Sequence, residues 1–388
     1  MREIVEKIYG LEFHKAKYTL KNMLRILNLL GNPQLSYKTI HVTGTNGKGS
    51  TSNFISNILS QKYKVGLYTS PHFIKYNERF KINGKPISDY KLKKRVLELQ
   101  KILEDNGLTA TFFEFTTALS FLHFKKEKVD FAVIEVGVGG KLDATNVLSP
   151  VACVITNIGL DHTTLLGTTR LEIAKDKAQI IKAPVFTAEK DESILEVFKA
   201  KKESVKTIST YKKTFSDLTK QRFVYLDGEY TLSMLGEHQI SNACIAIEVS
   251  KYLKVAHNYI RKGLLETKVR GRLDVVSQNP LIILDGAHNE DGFKMLLKFL
   301  QNPKEYTLII GLSENKDVHK IAELIKNKFK EIIITKSKHK PMQPKQIQTH
   351  LPKAKIELNP NKALKQALKT NNKIIITGSL YLLPLIER

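Results

Sequence analysis

Three glycines surround one lysine in His41-Val42-Thr43-Gly44-Thr45-Asn46-Gly47-Lys48-Gly49-Ser50-Thr51. Gly44, Gly47 and Gly49 let a backbone approach an anion closely, and the amides that open a helix face it. Lys48 can reach the outer phosphates of a nucleotide, and Ser50 or Thr51 can sit near a metal ion. An apolar strand precedes this loop and a helix-like run, 52–60, follows it. Together they make a nucleoside triphosphate site. The spacing departs from the common phosphate-loop pattern, because only Thr45 and Asn46 separate Gly44 from Gly47 and Gly49 follows Lys48. The alternative is a Gly-rich turn with no ligand.

Four more clusters fall at the ends of expected strands, where open α/β sheets bind ligands. Thr69-Ser70-Pro71-His72 offers a hydroxyl at Ser70, although such a sequence is also a common turn. Glu135 lies in the very apolar run 131–136, ahead of Gly137-Val138-Gly139-Gly140-Lys141-Leu142-Asp143-Ala144-Thr145-Asn146. A carboxylate there needs a cation or strong hydrogen bonds, and beside a phosphate loop magnesium is the expected partner. His162, in Gly159-Leu160-Asp161-His162, is a metal ligand or a hydrogen-bonding anchor by position, although a lone histidine is usually neither. Asp285-Gly286-Ala287-His288-Asn289 suits ribose or base contacts and reads equally as a turn.

The elements that must hold these residues alternate in type. Strands are expected over 38–43, 65–69, 130–136, 151–157 and 184–188, and helices over 51–61, 89–105, 114–126 and 171–181. That order implies a mainly parallel sheet flanked by helices. A hairpin around Asp227-Gly228 follows, then helices near 238–253 and 257–265. A second strand series, 281–284, 307–310, 332–335 and 373–377, forms a smaller C-terminal Rossmann-like α/β domain. The expected division is 1–269 and 270–388, at the polar stretch 268–272. A chain of 388 residues fits two domains.

No apolar run reaches the roughly 18 residues that span a bilayer, and the first residues lack a signal-peptide core. A cytoplasmic protein with no membrane partner is expected. Cys153 and Cys244 lie far apart in apolar surroundings and read as buried thiols rather than a disulfide or a zinc site. The net charge of +24 raises the question of nucleic acid. The lysines are spread along the chain, however, and the clusters at 91–95 and 336–340 are not interleaved with aromatics. A field that draws in small anionic substrates is the expected consequence.

The ordered set Gly-Thr-Asn-Gly-Lys-Gly-Ser (44–50), Thr-Ser-Pro-His (69–72), Thr-Phe-Phe-Glu (111–114), Glu-Val-Gly-Val-Gly-Gly-Lys-Leu-Asp-Ala-Thr-Asn (135–146), Ile-Gly-Leu-Asp-His (158–162), His-Gln-Ile-Ser-Asn-Ala (238–243), Gly-Arg (271–272) and Asp-Gly-Ala-His-Asn (285–289) resembles the folylpolyglutamate synthase and dihydrofolate synthase family, within the wider Mur-ligase group. The resemblance runs from about Leu30 to Ser379. It implies an ATP-binding Mur-type domain followed by a glutamate-ligase domain. The expected activity is ATP-dependent addition of L-glutamate to dihydropteroate, to the γ-carboxyl of reduced folates, or to both, through an acyl phosphate.

The resemblance also implies roles. Asn46, Gly47, Lys48, Gly49 and Ser50 hold the ATP phosphates, and Asn242, Arg272 and Asp285 make further ATP contacts. Ser70, Glu135 and His162 serve two magnesium ions, and Lys177 matches the lysine that is carbamylated to bind the second. Lys48, Glu135, His162 and Lys177 are therefore the expected catalytic set. Phe113, Glu114, Leu142, Asp143 and Ala144 match the pterin wall, which the segment near Lys17-Tyr18-Thr19 completes, and His288 is a further substrate contact. Sequence physics alone reads Lys177 as an ordinary helix-surface lysine. The chain departs from the family pattern at Lys141, Arg270, Glu290 and Asn315, none of them an implied metal ligand. A monomer is expected. The competing readings are another Mur-type amino-acid ligase, a nucleic-acid-responsive phosphate-loop ATPase, and a catalytically silent nucleotide-binding protein. A UDP-sugar substrate usually requires an added N-terminal domain, and only the residues before Lys38 precede the first strand.

Overall fold

The fold is that of a computed structural model describing residues 2–11, 19–314 and 316–386. Lys17, Tyr18 and Asn315, singled out above, lie outside the described residues. Two compact units divide the chain, Met1–Thr210 with Ser241–Thr267, and Tyr211–Ile240 with Lys268–Arg388. The sequence suggested one cut at 269/270. By packing, the segment 211–240 groups with the C-terminal unit, in whose core Leu235 is buried.

The first unit is built on eight strands: β1 (Lys38–Thr43), β2 (Val65–Tyr68), β3 (Phe80–Ile82), β4 (Lys85–Pro86), β5 (Phe131–Glu135), β6 (Ala152–Ile155), β7 (Val185–Thr187) and β8 (Val205–Thr207). Their order is β4-β3-β2-β5-β1-β6-β7-β8. Pairs from β2 to β8 are parallel, and β3 and β4 add an antiparallel edge. β5 and β6 are buried along their whole length, as a parallel sheet covered on both faces requires. Register sets Val42 beside Glu135 and Thr43 beside Ile155. The loops after β1, β5 and β6 therefore leave the same end of the sheet.

Helices α1 (Arg2–Tyr9), α2 (Lys21–Leu29), α3 (Lys48–Ser60), α4 (Asp89–Asp105), α5 (Phe112–Lys126), α6 (Thr163–Leu166), α7 (Arg170–Lys177) and α8 (Glu192–Lys199) connect these strands. α9 (Glu237–Tyr252) and α10 (His257–Glu266) follow. α5 is apolar on nearly every side and buries Phe115, Phe121 and Phe124, the pattern of a helix enclosed in a core. Its start is a capping box. Glu114 N donates to Thr111 Oγ1 at 3.3 Å, and Thr111 N donates to Glu114 Oε2 at 2.9 Å. The helix expected over 171–181 ends at Lys177 and tightens into a 3-10 turn, Ala178–Ile180. Cys153 and Cys244 are buried free thiols.

α10 lies against α3, the helix that the phosphate-type loop opens. A Cβ on Gly263 would sit 2.4 Å from Ile58 Cα, a backbone atom that cannot turn aside. Gly263→Ala is expected to destabilise the protein by about 1–3 kcal/mol through forced backbone displacement. A denaturant titration checks this, and an unchanged midpoint would show that the two helices separate freely.

The second unit holds a three-stranded antiparallel sheet, β9 (Tyr211–Ser216), β10 (Gln221–Tyr225) and β11 (Gly228–Leu232). Its six-stranded sheet contains β12 (Asp274–Gln278), β13 (Leu281–Leu284), β14 (Thr307–Ile310), β15 (Glu331–Ile334), β16 (Lys355–Ile356) and β17 (Lys373–Thr377). The order is β12-β13-β17-β14-β15-β16, parallel except for β12. α11 (Glu290–Phe299), α12 (Val318–Ile325), α13 (Pro344–His350) and α14 (Pro360–Thr370) cover it. No helix among the described residues is long and apolar enough to cross a membrane.

Candidate active site

Thr43 ends β1 and the chain turns sharply, with Gly44 and Gly47 at positive φ. A side chain on Gly44 would collide with Thr156, whose Oγ1 lies 1.8 Å from the Cβ position. The turn is fixed from β6: Asn157 Oδ1 accepts from Asn46 N at 3.0 Å, and Thr156 Oγ1 donates to Asn46 O at 2.6 Å. Thr45 Oγ1 accepts from Gly159 N at 2.9 Å and donates to Gly159 O at 3.0 Å. Thr45, Thr156 and Asn157 carry this scaffold without having been singled out as functional. Their signal was present, since Thr45 is a hydroxyl within the loop and Thr156 and Asn157 are hydrogen-bonding residues just past the end of β6.

Lys48 opens α3, and its ammonium donates to Gly44 O at 2.9 Å and Thr45 O at 3.1 Å. Lys177, at the end of α7, donates to the same Gly44 oxygen at 3.0 Å. Lys177 is only 3% exposed. Burial, and then the charge of Lys48, push its pKa down to about 7. The expectation of an ordinary surface lysine fails here, because Gly140 packs onto the backbone of Asp176 and Lys177 while Gly139 packs against the Asp176 side chain.

Glu135, the last residue of β5, is buried, and its Oε2 accepts from Ser70 N at 3.0 Å. The carboxylate also faces α3, with Oε2 3.6 Å from where a Cβ on Gly49 would stand. Lys48, Ser70, Glu135 and Lys177 thus surround one loop. His162 stands one loop away, in the left-handed conformation on an exposed turn that caps α6. Its own N–H donates to Asp161 Oδ1 at 2.9 Å. Asn242 reaches the loop from α9, its Oδ1 2.4 Å from the Cβ position of Gly47. Ser50 is buried in the first turn of α3.

No group of three or more His, Cys, Asp or Glu among the described residues forms a ready-made metal cage. Magnesium does not require one, since it keeps several waters and takes one or two protein oxygens plus phosphate. A buried carboxylate beside a serine, facing a glycine-opened helix start, has the donor chemistry it needs.

The loop after β5 is organised by Asp143. Its Oδ2 accepts from Gly137 N at 3.0 Å and Val138 N at 3.1 Å, and its Oδ1 accepts from Thr145 N at 3.0 Å. Thr145 Oγ1 donates to Asp143 Oδ1 at 2.5 Å, so it must accept from His41 Nε2–H at 2.8 Å. His41 lies inside β1, where burial and then Lys182 push its pKa down to about 3, so the ring stays neutral. Burial raises the Asp143 pKa against these hydrogen bonds. Phe113 packs at the same turn, 3.2 Å from the Cβ position of Gly137. Leu142 is exposed beside it and Ala144 is buried. Glu114 is occupied in the cap of α5 and also accepts from Asn22 Nδ2 at 3.1 Å, which gives it a structural part.

In the second unit, Arg272, Asp285 and His288 gather at the end of β13. Asp285 accepts from Leu273 N at 3.0 Å and Ala287 N at 2.9 Å. Arg272 Nη1 lies 3.2 Å from the Cβ position of Gly286, and His288 Nδ1 bonds Gly286 O at 2.8 Å. His238 is half-buried within reach of both charges. Burial lowers its pKa, with Asp285 opposing and Arg272 reinforcing.

Residues 42–250 match the Mur ligase middle domain, and residues 271–380 match the Mur ligase glutamate ligase domain. The sequence is 36% identical over 395 residues to folylpolyglutamate synthase from Lacticaseibacillus casei, covering 93% of this chain and 92% of that protein. It is 36% identical over 323 residues to dihydrofolate synthase/folylpolyglutamate synthase from Bacillus subtilis, covering 76% and 74%. Folylpolyglutamate synthase from Thermotoga maritima superposes with a TM-score of 0.85 at 32% identity, over 99% of this chain and 95% of that one. A folylpolyglutamate synthase complex with AMPPCP and folate gives 0.87 at 32% identity, over 99% and 97%.

Proposed function

The chain belongs to the Mur ligase family, in its folylpolyglutamate synthase and dihydrofolate synthase branch, and from that premise we propose how its own residues carry out ATP-dependent ligation of L-glutamate to a pterin acid. The observation that carries the assignment is the convergence of Lys48 and Lys177 on the Gly44 carbonyl, at 2.9 and 3.0 Å, with the buried Glu135 carboxylate against the same helix start.

An acceptor carboxylate oxygen attacks the γ-phosphorus of ATP. A new O–P bond forms, the bridging O–P bond breaks, and ADP leaves. The L-glutamate amine then attacks the acyl carbon, loses a proton, and expels phosphate. A free carboxylate cannot acylate an amine, because its leaving group would be oxide. The protein needs no nucleophile of its own and acts by positioning and charge neutralisation. The loop amides and Lys48 hold the phosphates. Glu135 and Ser70, with His162 from the adjoining loop, are the residues that would hold magnesium, which supplies charge neutralisation on the transferring phosphoryl group. Lys177, with its lowered proton affinity, is proposed as the site of a carbamate. Phe113, Leu142, Asp143 and Ala144 are proposed to receive the pterin. The placing of Arg272, Asp285 and His288 at the C-terminal end of a parallel strand supports their assignment to nucleotide and substrate contacts.

The first test is ADP release with ATP, magnesium and L-glutamate, comparing dihydropteroate with tetrahydrofolate. Release that requires both glutamate and a pterin acceptor is expected. ADP release indifferent to both would overturn the ligase reading in favour of a plain ATPase. A second expected result concerns Glu135. Glu135→Gln keeps an acceptor for Ser70 N and removes the charge, so turnover is expected to fall about a hundredfold with an unchanged melting temperature. A higher magnesium requirement should accompany it, and wild-type magnesium dependence would remove Glu135 from the metal assignment.

A further inference from the structure

Arg79 is 4% exposed, yet no carboxylate among the described residues pairs with it. Its Nε donates to His72 Nδ1 at 3.0 Å, and its Nη1 is buried with no hydrogen-bond partner. The guanidinium lies over two rings, 5.4 Å from the centroid of Phe112 and 5.8 Å from that of Tyr76. Aromatic faces attract a cation but do not neutralise it, and a buried charge without a counter-charge is costly. A guanidinium fork held in one orientation with an unused N–H is a receptor for a carboxylate.

Its position identifies which carboxylate. The Arg79 carbonyl accepts from Thr69 N at 3.2 Å, which sets the residue beside Ser70 and hence near Glu135. On its other side Phe112 meets Phe113, ring centroids 5.4 Å apart, and Phe113 packs at the Asp143 turn. The buried Tyr68 hydroxyl is within electrostatic reach of Arg79, Asp143 and Glu135 together. Arg79 therefore stands between the phosphate end and the proposed pterin end of the site. The reacting carboxylate must approach the phosphoryl group, and a guanidinium clamped on it would blunt its nucleophilicity. The anion that suits Arg79 is one that does not react.

Dihydropteroate has no such group. A folate has one, the α-carboxylate beside its reacting γ-carboxylate. We propose that Arg79 binds the α-carboxylate of a glutamate-bearing acceptor and so selects folates for extension. The inference rests on the ligase reading above. On this side of Arg79, His72 Nε2 donates to the Tyr9 hydroxyl at 3.0 Å, and Tyr9, at the end of α1, is 50% exposed.

The test compares kcat/KM for tetrahydrofolate with that for its analogue carrying a carboxamide in place of the α-carboxylate. Wild-type enzyme is expected to prefer the acid at least tenfold. Arg79→Gln should bring the ratio close to one, mainly by lowering the rate with the acid. Arg79→Lys, which keeps the charge but not the fork, should reduce the ratio in part. Because each ratio is taken within one protein, loss of folded material cancels. A wild-type ratio near one, or a preference that survives in both variants, overturns the proposal. So does a wild-type enzyme that accepts dihydropteroate alone. Absence of turnover with every pterin acceptor would instead overturn the ligase reading itself.

Discussion

Lys48→Ala is expected to abolish ligation, with kcat lowered about a thousandfold or more, while the protein remains folded. A thousandfold is about 4 kcal/mol of transition-state stabilisation. That is the scale expected when the one cation of a phosphate loop is removed from a phosphoryl group gathering charge. The Lys48 ammonium donates to the loop carbonyls Gly44 O and Thr45 O, and Ala is a good residue for the first turn of α3. The melting temperature should therefore stay within a few degrees of wild type. Nucleotide binding by calorimetry should weaken less than turnover, because the loop amides and the Asn242 contact persist. Near-normal turnover by a well-folded Lys48→Ala protein would refute the phosphate-loop assignment, and with it the placing of Glu135 and Lys177.

The parts of this site that could be read from the sequence are those whose chemistry is local. Glycine spacing around Lys48 implies a phosphate-binding turn wherever a strand precedes it. Glu135 is conspicuous because a charge inside an apolar strand demands a partner. Lys177 is different. It sits in Arg-Leu-Glu-Ile-Ala-Lys-Asp-Lys, a polar helix on its face, and only the family resemblance singled it out. Its burial comes from a turn some 37 residues earlier folding onto the end of α7, which no local pattern contains. Arg79 was not singled out, for the same reason: one of the two rings beside its guanidinium, Phe112, comes from the start of α5, far along the chain, and only the other, Tyr76, is local. His41 was quoted only as part of the loop, and its link to Asp143 through Thr145 spans 104 residues.

The fold divides along similar lines. The buried central strands announced themselves as apolar runs, and β10 and β11 as an alternation around Asp227-Gly228. β9, Tyr-Lys-Lys-Thr-Phe-Ser, is mostly exposed and carries no such signal, so its pairing with β10 went unforeseen. Short edge strands such as β4 and β16, two residues each, are likewise set by pairing and not by composition.

Lys177→Ala is expected to lose activity about a thousandfold and to regain part of it with small carboxylic acids such as formate or acetate. Two ammonium groups converge on the Gly44 carbonyl, and the buried one gives way: burial first and the Lys48 charge second bring Lys177 from 10.5 to about 7. Above that pH the amine is neutral and nucleophilic. In the proposed carbamylation, attack on carbon dioxide would form an N–C bond, release one proton and leave a carbamate anion facing Lys48, turning repulsion into attraction. The sign of the linkage follows. Between pH 7 and 10.5 the unfolded chain binds more protons at this lysine than the folded chain, so stability rises with pH across that window, and the full cost of burial is carried below pH 7. Activity should accordingly respond to added bicarbonate at pH 8 and much less at pH 6.5. The alanine variant should stay folded, because Gly140 packs against the backbone of Asp176 and Lys177, which the substitution leaves in place. The space vacated would let a small carboxylate stand in the place of the proposed carbamate, so rescue should saturate with acid concentration and fail with acids too bulky to enter. A Lys177→Ala protein as active as wild type would show that this lysine is buried for packing alone.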